Sequence, residues 1–180
     1  MMTSAKNGSP KLYMYNRFYF RIASKRHSVS SPSDLMDHQS VLSAMHLVDS
    51  EEEGDATVLP IDTKTIAQLE ADYGEAGFRW NELILPNIKT LIRELLTGMA
   101  KAYPAMGDSD QYRALYGVDT MFSIESGGIE PKLTEVSFCP SNNAICDAYE
   151  RDDRDFRNYN TDVFNCLFLG KVSDNITRLN

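Results

Sequence analysis

The sequence predicts an α+β fold, mainly antiparallel sheet packed by helices, and three patterns carry this prediction. Residues 12–22 alternate between two sets of side chains with a period of two, which indicates a strand. Residues 88–103 repeat apolar side chains at helical spacing, which indicates one face of an amphipathic helix. Residues 114–124 and 132–138 flank a glycine-containing turn, so they predict an antiparallel hairpin.

The alternating first strand divides its side chains between two faces. One face carries Leu12, Met14, Phe18, Phe20 and Ile22, and the other carries Tyr13, Tyr15, Arg17, Tyr19 and Arg21. We expect the first face to pack into the core. We expect the tyrosine and arginine face to form a polar, partly sheltered surface.

Capping and breaking residues predict where the helices begin and end. The predicted boundaries are Asp62 and Tyr73 for one helix, Pro86 and Pro104 for the central helix, Asn160 or Thr161 and Gly170 for the last helix, and Ser33 or Asp34 for the start of a short helix near residues 35–47. The acidic and arginine-rich residues 147–157 predict a solvated loop or a frayed helix.

Composition and charge narrow the function classes. The 180 residues are 42% hydrophobic and 24% charged, which are ordinary globular values, and no stretch approaches ~18 consecutive apolar residues, so no membrane span is predicted. The net charge of −8 argues against general nucleic-acid binding. Residues 1–33 nevertheless contain no Asp or Glu and carry six Lys and Arg. This basic segment is either a local site for an anion or a solvated basic edge.

The cysteines and the chain ends give weaker indications. The three cysteines lack CxxC spacing, which suits a reducing compartment and a cytoplasmic location without a zinc site. The sequence also begins without an apolar leader. We expect residues 1–10 to be a flexible N-terminus, residues 11–170 to be one domain, and residues 171–180 to be a C-terminal tail.

The hairpin holds the residues with the most chemical information. Asp119 interrupts an apolar run, and Glu135 and Ser137 lie two apart on one face of the other strand. The hairpin could bring Asp119 to that face, where two carboxylates and a hydroxyl would suit magnesium. The alternative is that both acids are ordinary exposed carboxylates on a solvated sheet face.

Several segments together form a motif pattern. Residues 135–141, EVSFCPS, and residues 117–119, GVD, resemble the motif E-V/I-N-x-x-P-S/D and the preceding G-x-D of the tubulin–tyrosine ligase-like family. Residues 20–24, FRIAS, are similar to its L-R-T/F-A/S-S strand end, and residues 80–89 resemble the segment before its hairpin. Residues 162–169, DVFNCLFL, are similar to a divergent subgroup. The resemblance runs from about residue 11 to residue 170.

This resemblance implies the C-terminal part of an ATP-grasp fold and the reaction of an ATP-dependent amino-acid ligase. Such enzymes use ATP and magnesium to phosphorylate a carboxylate, and an amine then attacks the acyl phosphate; the usual substrates are tubulin and an amino acid. By resemblance, Asp119 and Glu135 match the magnesium-binding carboxylates. Arg21 matches the catalytic arginine that contacts phosphate or acyl phosphate, a role that suits a bidentate guanidinium.

The chain also departs from the family pattern. Ser137 stands at the position of a metal-binding Asn, and His46 stands at the position of another Asn, where it could hydrogen-bond a phosphate. No glycine-rich phosphate loop or lysine-bearing strand precedes these motifs, so we expect an incomplete ligase domain that is inactive by itself. The alternative is an inactive pseudo-ligase that binds the acidic tubulin tail or another protein, in the cytoplasm or on microtubules.

Overall fold

A computed structural model describes residues 1–3, 9–22, 30–33, 57–108, 111–125, 128–138, 140 and 153–180. The described elements, in chain order, are β1 (Met2–Thr3), β2 (Lys11–Tyr15), β3 (Tyr19–Ile22), β4 (Thr57–Pro60), α1 (Thr63–Tyr73), a π-helical turn (Trp80–Ile84) that leads into α2 (Leu85–Ala102), α3 (Ala105–Asp108), β5 (Arg113–Ala114), β6 (Tyr116–Glu125), β7 (Gly128–Phe138), α4 (Asp153–Phe164) with a second π-helical turn (Asn165–Leu169), and β8 (Ile176–Arg178). The fold is therefore α+β, as predicted. The short helix predicted near residues 35–47 lies outside the described residues.

All the described strand pairs are antiparallel, and they form three groups. A four-stranded sheet has the order β5-β1-β2-β8, β3 pairs with β4, and β6 pairs with β7 as the predicted hairpin. The hairpin is longer than predicted, because residues 128–131 already belong to the second strand. The turn between its strands is correspondingly shorter.

Strand β2 lies between two apolar layers. Leu12 and Met14 belong to the main core, together with Ile88, Ile92 and Leu96 of α2. Tyr13 points to the other side, into a smaller core with Cys166, Leu167 and Ile176. At Tyr13, therefore, β2 buries its predicted polar face as well as its apolar face, because the C-terminal residues Cys166, Leu167 and Ile176 cover that polar face.

The predicted strand 12–22 is two strands, which corrects the sequence prediction. The break lies at residues 16–18, where Asn16 is held by the C-terminal segment. Its backbone N–H donates to the carbonyl of Asn175 at 2.8 Å, and its side-chain oxygen accepts from the hydroxyl of Thr177 at 2.7 Å. The pairing with β8 stops at this point, and the chain starts the separate β3–β4 pair at Tyr19.

The helix predicted after Asp62 and the predicted central helix are both present. Asp62 caps α1 by accepting the N–H of Thr65 at 2.7 Å, and the helix ends at Tyr73 as predicted. Helix α2 has Pro86 in its first turn and ends before Pro104, and its apolar face packs into the main core. The helical path starts earlier than predicted, because the π-helical turn begins at Trp80, whose N–H donates to the carboxylate of Glu70 at 2.8 Å.

Three terminal predictions differ from the structure. Residues 1–3 are buried, and two of them form β1, where a flexible N-terminus was expected. The expected tail contains β8, whose Ile176 is buried against β2. The last helix begins at Asp153 rather than after Asn160 or Thr161, although Gly170 closes it in the left-handed conformation as predicted. Long-range strand pairing at both ends overrides their polar composition.

No helix in the described ranges is both long enough and apolar enough to cross a membrane.

Burial in α2 predicts a large difference between two leucine truncations. Leu96 is 1% exposed within the main core, so Leu96→Ala should lower the free energy of unfolding by about 2–5 kcal/mol. Leu83 in the preceding turn is 48% exposed, and Leu83→Ala should cost less than about 1 kcal/mol. Urea unfolding of both variants measures the difference. Equal costs would contradict this assignment of the core face.

Candidate functional site

The β6–β7 hairpin brings three predicted site residues onto one face. Asp119 lies directly opposite Glu135, and Gly117 lies opposite Ser137. Directly opposed residues in an antiparallel pair have Cβ atoms about 4.5–5.5 Å apart and share a face. The hydroxyl of Ser137 donates to Oε1 of Glu135 at 2.7 Å. Two carboxylates and a hydroxyl are therefore neighbours here.

The two carboxylates repel each other. Partial burial of the carboxyl raises the pKa of Asp119, the facing Glu135 raises it further, and Arg21 partly lowers it. The Asp119 side chain remains largely exposed, so a ligand from solvent can reach it. Because its surroundings disfavour the ionised carboxylate, Asp119 favours binding a proton or a cation.

Arg21 reaches the same site from another strand. It pairs with Val58 across β3–β4, and its charge acts on Asp119. Its guanidinium lies over the ring of Tyr19, with 5.8 Å between the guanidinium carbon and the ring centroid. Within the described part of the chain, its Nε is buried without a hydrogen-bond partner. This donor is available for an acceptor that the described residues do not supply.

An aromatic cluster sets the position of β3 beside the hairpin. Phe20 points to the face opposite Arg21 and packs against Trp80, with ring centroids 5.7 Å apart, and against Phe122 of β6, with centroids 5.8 Å apart. Phe78 completes the cluster at 6.1 Å from Phe122. Because Arg21 follows Phe20 directly, these contacts bring the guanidinium towards Asp119.

Gly117 allows the chain to return over the start of β6. A Cβ built at Gly117 would lie 3.0 Å from the Cβ of Pro140 and 3.6 Å from that of Ser137. The glycine therefore leaves room for Pro140 to pack on the strand. This explains physically why glycine and proline accompany the two acids in the motif.

Sequence reasoning missed two residues of this site. Tyr19 was assigned only to a polar face, yet it supports the arginine. Thr134 was not singled out, yet its hydroxyl donates to the backbone carbonyl of Asp119 at 3.0 Å. An aromatic residue two positions before a strand arginine is a signal for the first. A threonine next to a strand carboxylate is too common to identify the second.

His46 lies outside the described residues, so its predicted place at a phosphate stays a prediction.

The donor set fits magnesium with few protein ligands. In the ranges that the structure describes, no group of three or more His, Cys, Asp and Glu side chains could hold a metal ion. Asp119, Glu135 and Ser137 offer two carboxylates and one hydroxyl, all hard oxygen donors. Magnesium is commonly held by one or two carboxylates while water and substrate phosphates complete its shell. The metal role of these residues stays a prediction.

Comparison with known proteins identifies the family. The protein-family model described as the tubulin-tyrosine ligase family matches residues 9–171 of this chain, a range that includes the hairpin, Arg21, Asp119 and Glu135. The chain belongs to the tubulin-tyrosine ligase family. No solved structure matches it significantly.

Two curated members of this ligase family are similar to the chain over most of its length. Tubulin–tyrosine ligase-like protein 12 of Caenorhabditis elegans is 29% identical over 164 residues, which cover 89% of this chain and 22% of that protein. The protein of the same name from Caenorhabditis briggsae is 29% identical over 171 residues, covering 92% of this chain and 23% of that protein. The chain thus spans less than a quarter of the length of these relatives.

The raised pKa of Asp119 in this ligase-family hairpin predicts a pH-dependent stability change. The ordinary pKa of an aspartate carboxyl is 3.8, and the folded state raises it because it favours the neutral form of Asp119. The stability that the neutral carboxyl contributes is therefore full below pH 3.8 and is lost as the pH rises through the pKa of the folded state. Asp119→Asn should therefore stabilise the protein near neutral pH. We expect a gain below about 1 kcal/mol because solvent screens the carboxyl.

Thermal unfolding across pH measures this gain. This gain should shrink as the pH falls through the raised pKa of folded Asp119 towards 3.8, and it should be absent below 3.8. Glu130→Gln is the matched control on β7, because Glu130 is an exposed carboxylate with its own partner, Lys132, at 2.9 Å. The control should show no gain. A gain for Asp119→Asn that grows in acid would contradict the assigned cause.

The close approach at Gly117 predicts a contrast between two glycine substitutions. Gly98 lies in α2 with no atom within 4 Å of a built Cβ, so Gly98→Ala should stabilise the protein by about 0.5–1 kcal/mol. Gly117→Ala should lack this gain, because Pro140 must move to admit the methyl group. Chemical unfolding measures both variants. An equal gain at the two positions would contradict the proposed packing of Pro140.

Proposed function

We propose that this chain supplies the metal- and phosphate-binding part of an ATP-dependent amino-acid ligase domain with an ATP-grasp fold. The observation that carries the proposal is the meeting of Arg21, Asp119 and Glu135, which come from two separate strand pairs. Membership of a ligase family supports the reaction class. The substrates that we propose are ATP, an amino acid, and tubulin or another protein.

Asp119, Glu135 and Ser137 would hold Mg²⁺. Bound Mg²⁺ would neutralise charge on the phosphates, which is the main electrostatic demand of phosphoryl transfer. The Ser137 hydroxyl donates a hydrogen bond to Glu135, so the lone pairs of its oxygen would remain available for the metal. Glu135 is thereby oriented on its strand before any ligand arrives.

Arg21 would bind the phosphate or acyl phosphate. Its buried Nε has no partner among the residues that the structure describes and so gives a donor for a phosphate oxygen, and the Tyr19 ring restricts where the guanidinium lies. A guanidinium stays charged at any physiological pH and can bind two oxygens at once. The side chain would stabilise negative charge in the transition state without moving a proton itself.

Ligation by the native protein that contains this chain tests the proposal. The protein is incubated with ATP, Mg²⁺, tubulin and tyrosine, glutamate or glycine, and both ADP and the modified tubulin are measured. Asp119→Asn, Glu135→Gln and Arg21→Lys should each reduce ADP formation by about 100-fold or more, because each removes a charge or a donor from the reacting phosphate. Arg21→Lys preserves the charge and loses the bidentate geometry.

Glu130→Gln is the control for these variants, since it removes an exposed carboxylate from the same strand and should leave the rate unchanged. Wild-type protein that forms neither ADP nor modified tubulin would sink the enzyme proposal. Unchanged rates in the Asp119 and Glu135 variants would show that the chemistry lies elsewhere.

A catalytically inactive, tubulin-binding module is the second candidate. It is favoured by Ser137, a weaker metal ligand than the amide that the family motif carries, and by the six Lys and Arg residues before residue 34. Such a module would bind an acidic tubulin-tail peptide with an affinity that falls as salt rises. Fluorescence anisotropy with that peptide at two salt concentrations tests it. Peptide binding without ADP formation would favour this candidate.

A further inference from the structure

The β6–β7 hairpin changes register beside the candidate site. From its turn, the pairs run from Glu125 opposite Gly128 to Thr120 opposite Leu133. The next pair is Asp119 opposite Glu135, so β7 contains one extra residue, Thr134, at this point. This extra residue is a β-bulge, a feature that redirects side chains and is common near functional sites.

The bulge decides which face Glu135 occupies. If the register of the turn continued, Asp119 would lie opposite Thr134, and Glu135 would lie opposite Val118. Opposed residues share a face, and a shift of one residue moves every following side chain to the other face. Val118 and its present partner Val136 pack against the main core. Without the bulge, Glu135 would therefore turn towards that core, where an unpaired carboxylate is costly.

Thr134 also makes the bond that closes the bulge. Its hydroxyl donates to the backbone carbonyl of Asp119 at 3.0 Å, across the hairpin. Thr134 is exposed, so burial does not force its hydroxyl to find this partner. The bond fixes the backbone of one carboxylate residue to the strand that carries the other.

We propose that Thr134 is a positioning residue: it takes up the one-residue change of register as the bulge residue of β7, and its bond to Asp119 keeps that bulge closed, which holds Asp119 and Glu135 on one face as a single cation site. The cation part of this inference rests on the proposed function. The placement of Glu135 by the bulge does not depend on it, and the two parts are measured separately.

Removing the hydroxyl tests the bond. Thr134→Val keeps the β-branched shape and loses the donor, whereas Thr134→Ser keeps a donor. Mn²⁺ serves as the probe, and its binding is followed by paramagnetic broadening of the amide signals of residues 119 and 135 in the 180-residue chain. Thr134→Val should weaken Mn²⁺ binding by about 10- to 100-fold, as loss of a group that orients a metal ligand does. Thr134→Ser should restore binding close to the wild-type affinity.

Thr177→Val is the matched control. It also removes an exposed threonine hydroxyl that makes a hydrogen bond, to Asn16 at 2.7 Å, but on β8 and away from the hairpin. It should leave Mn²⁺ affinity unchanged while removing a comparable hydrogen bond. If Thr134→Val binds Mn²⁺ as tightly as the wild type, the positioning role of the hydroxyl is wrong.

The register is measured without any metal. Cross-strand nuclear Overhauser contacts should join Asp119 to Glu135 in the wild type and in Thr134→Ser. In Thr134→Val, which keeps the residue but loses the bond that closes the bulge, the contact between Asp119 and Glu135 should weaken and a contact between Val118 and Glu135 should appear. If Thr134→Val keeps the wild-type contacts unchanged, the bond does not set the placement and the inference fails. A wild type that fails to bind Mn²⁺, with the register of Thr134→Val shifting as expected, would overturn the proposed metal site and support the placement by Thr134.

Discussion

The packing of Phe20 between Trp80 and Phe122 joins the parts from which the candidate site is built. Phe20 belongs to a two-stranded pair, Trp80 begins the long central helical segment, and Phe122 belongs to the hairpin. In the described part of the chain, these elements do not share a hydrogen-bonded sheet, so side-chain packing sets their relative positions there. The apolar contacts of Phe20, on one face of β3, therefore position Arg21, on the other face of β3, beside the hairpin that carries Asp119.

Local signals predicted the elements whose causes are local. The α1 cap at Asp62 and the apolar face of α2 need only neighbouring residues, and both are present. Prediction failed where distant segments intervene. The chain leaves β2 at Asn16, where the C-terminal segment bonds to it, and Met2 lies in a strand because β2 and β5 flank it. Composition could not indicate either partner, since both are far away in the sequence.

The site shows the same division between local pattern and long-range pairing. Period-two spacing correctly placed Glu135 and Ser137 on one face, and the hairpin turn indicated that Asp119 would be nearby. Counting residues back from the turn in a regular ladder, however, gives Val118 as the partner of Glu135. Only the extra residue at Thr134 corrects that register, and nothing in the sequence around it marks a bulge. The resemblance to the family motif predicted that Asp119 and Glu135 act together, but it did not indicate the bulge that pairs them.

The electrostatics of the site favour two ligands together. Asp119 and Glu135 carry two negative charges against one positive charge on Arg21, and the pKa of Asp119 is raised first by partial burial and then by the facing Glu135. A cation relieves the excess negative charge at neutral pH, where protonation of a largely exposed carboxyl is weak. The buried Nε of Arg21 has the opposite requirement, because it is a donor without an acceptor in the described part of the chain. A metal-bound phosphate would bring the cation to the acids and the acceptor to the arginine, and this joint fit supports the proposed phosphoryl transfer over a site for a cation or an anion alone.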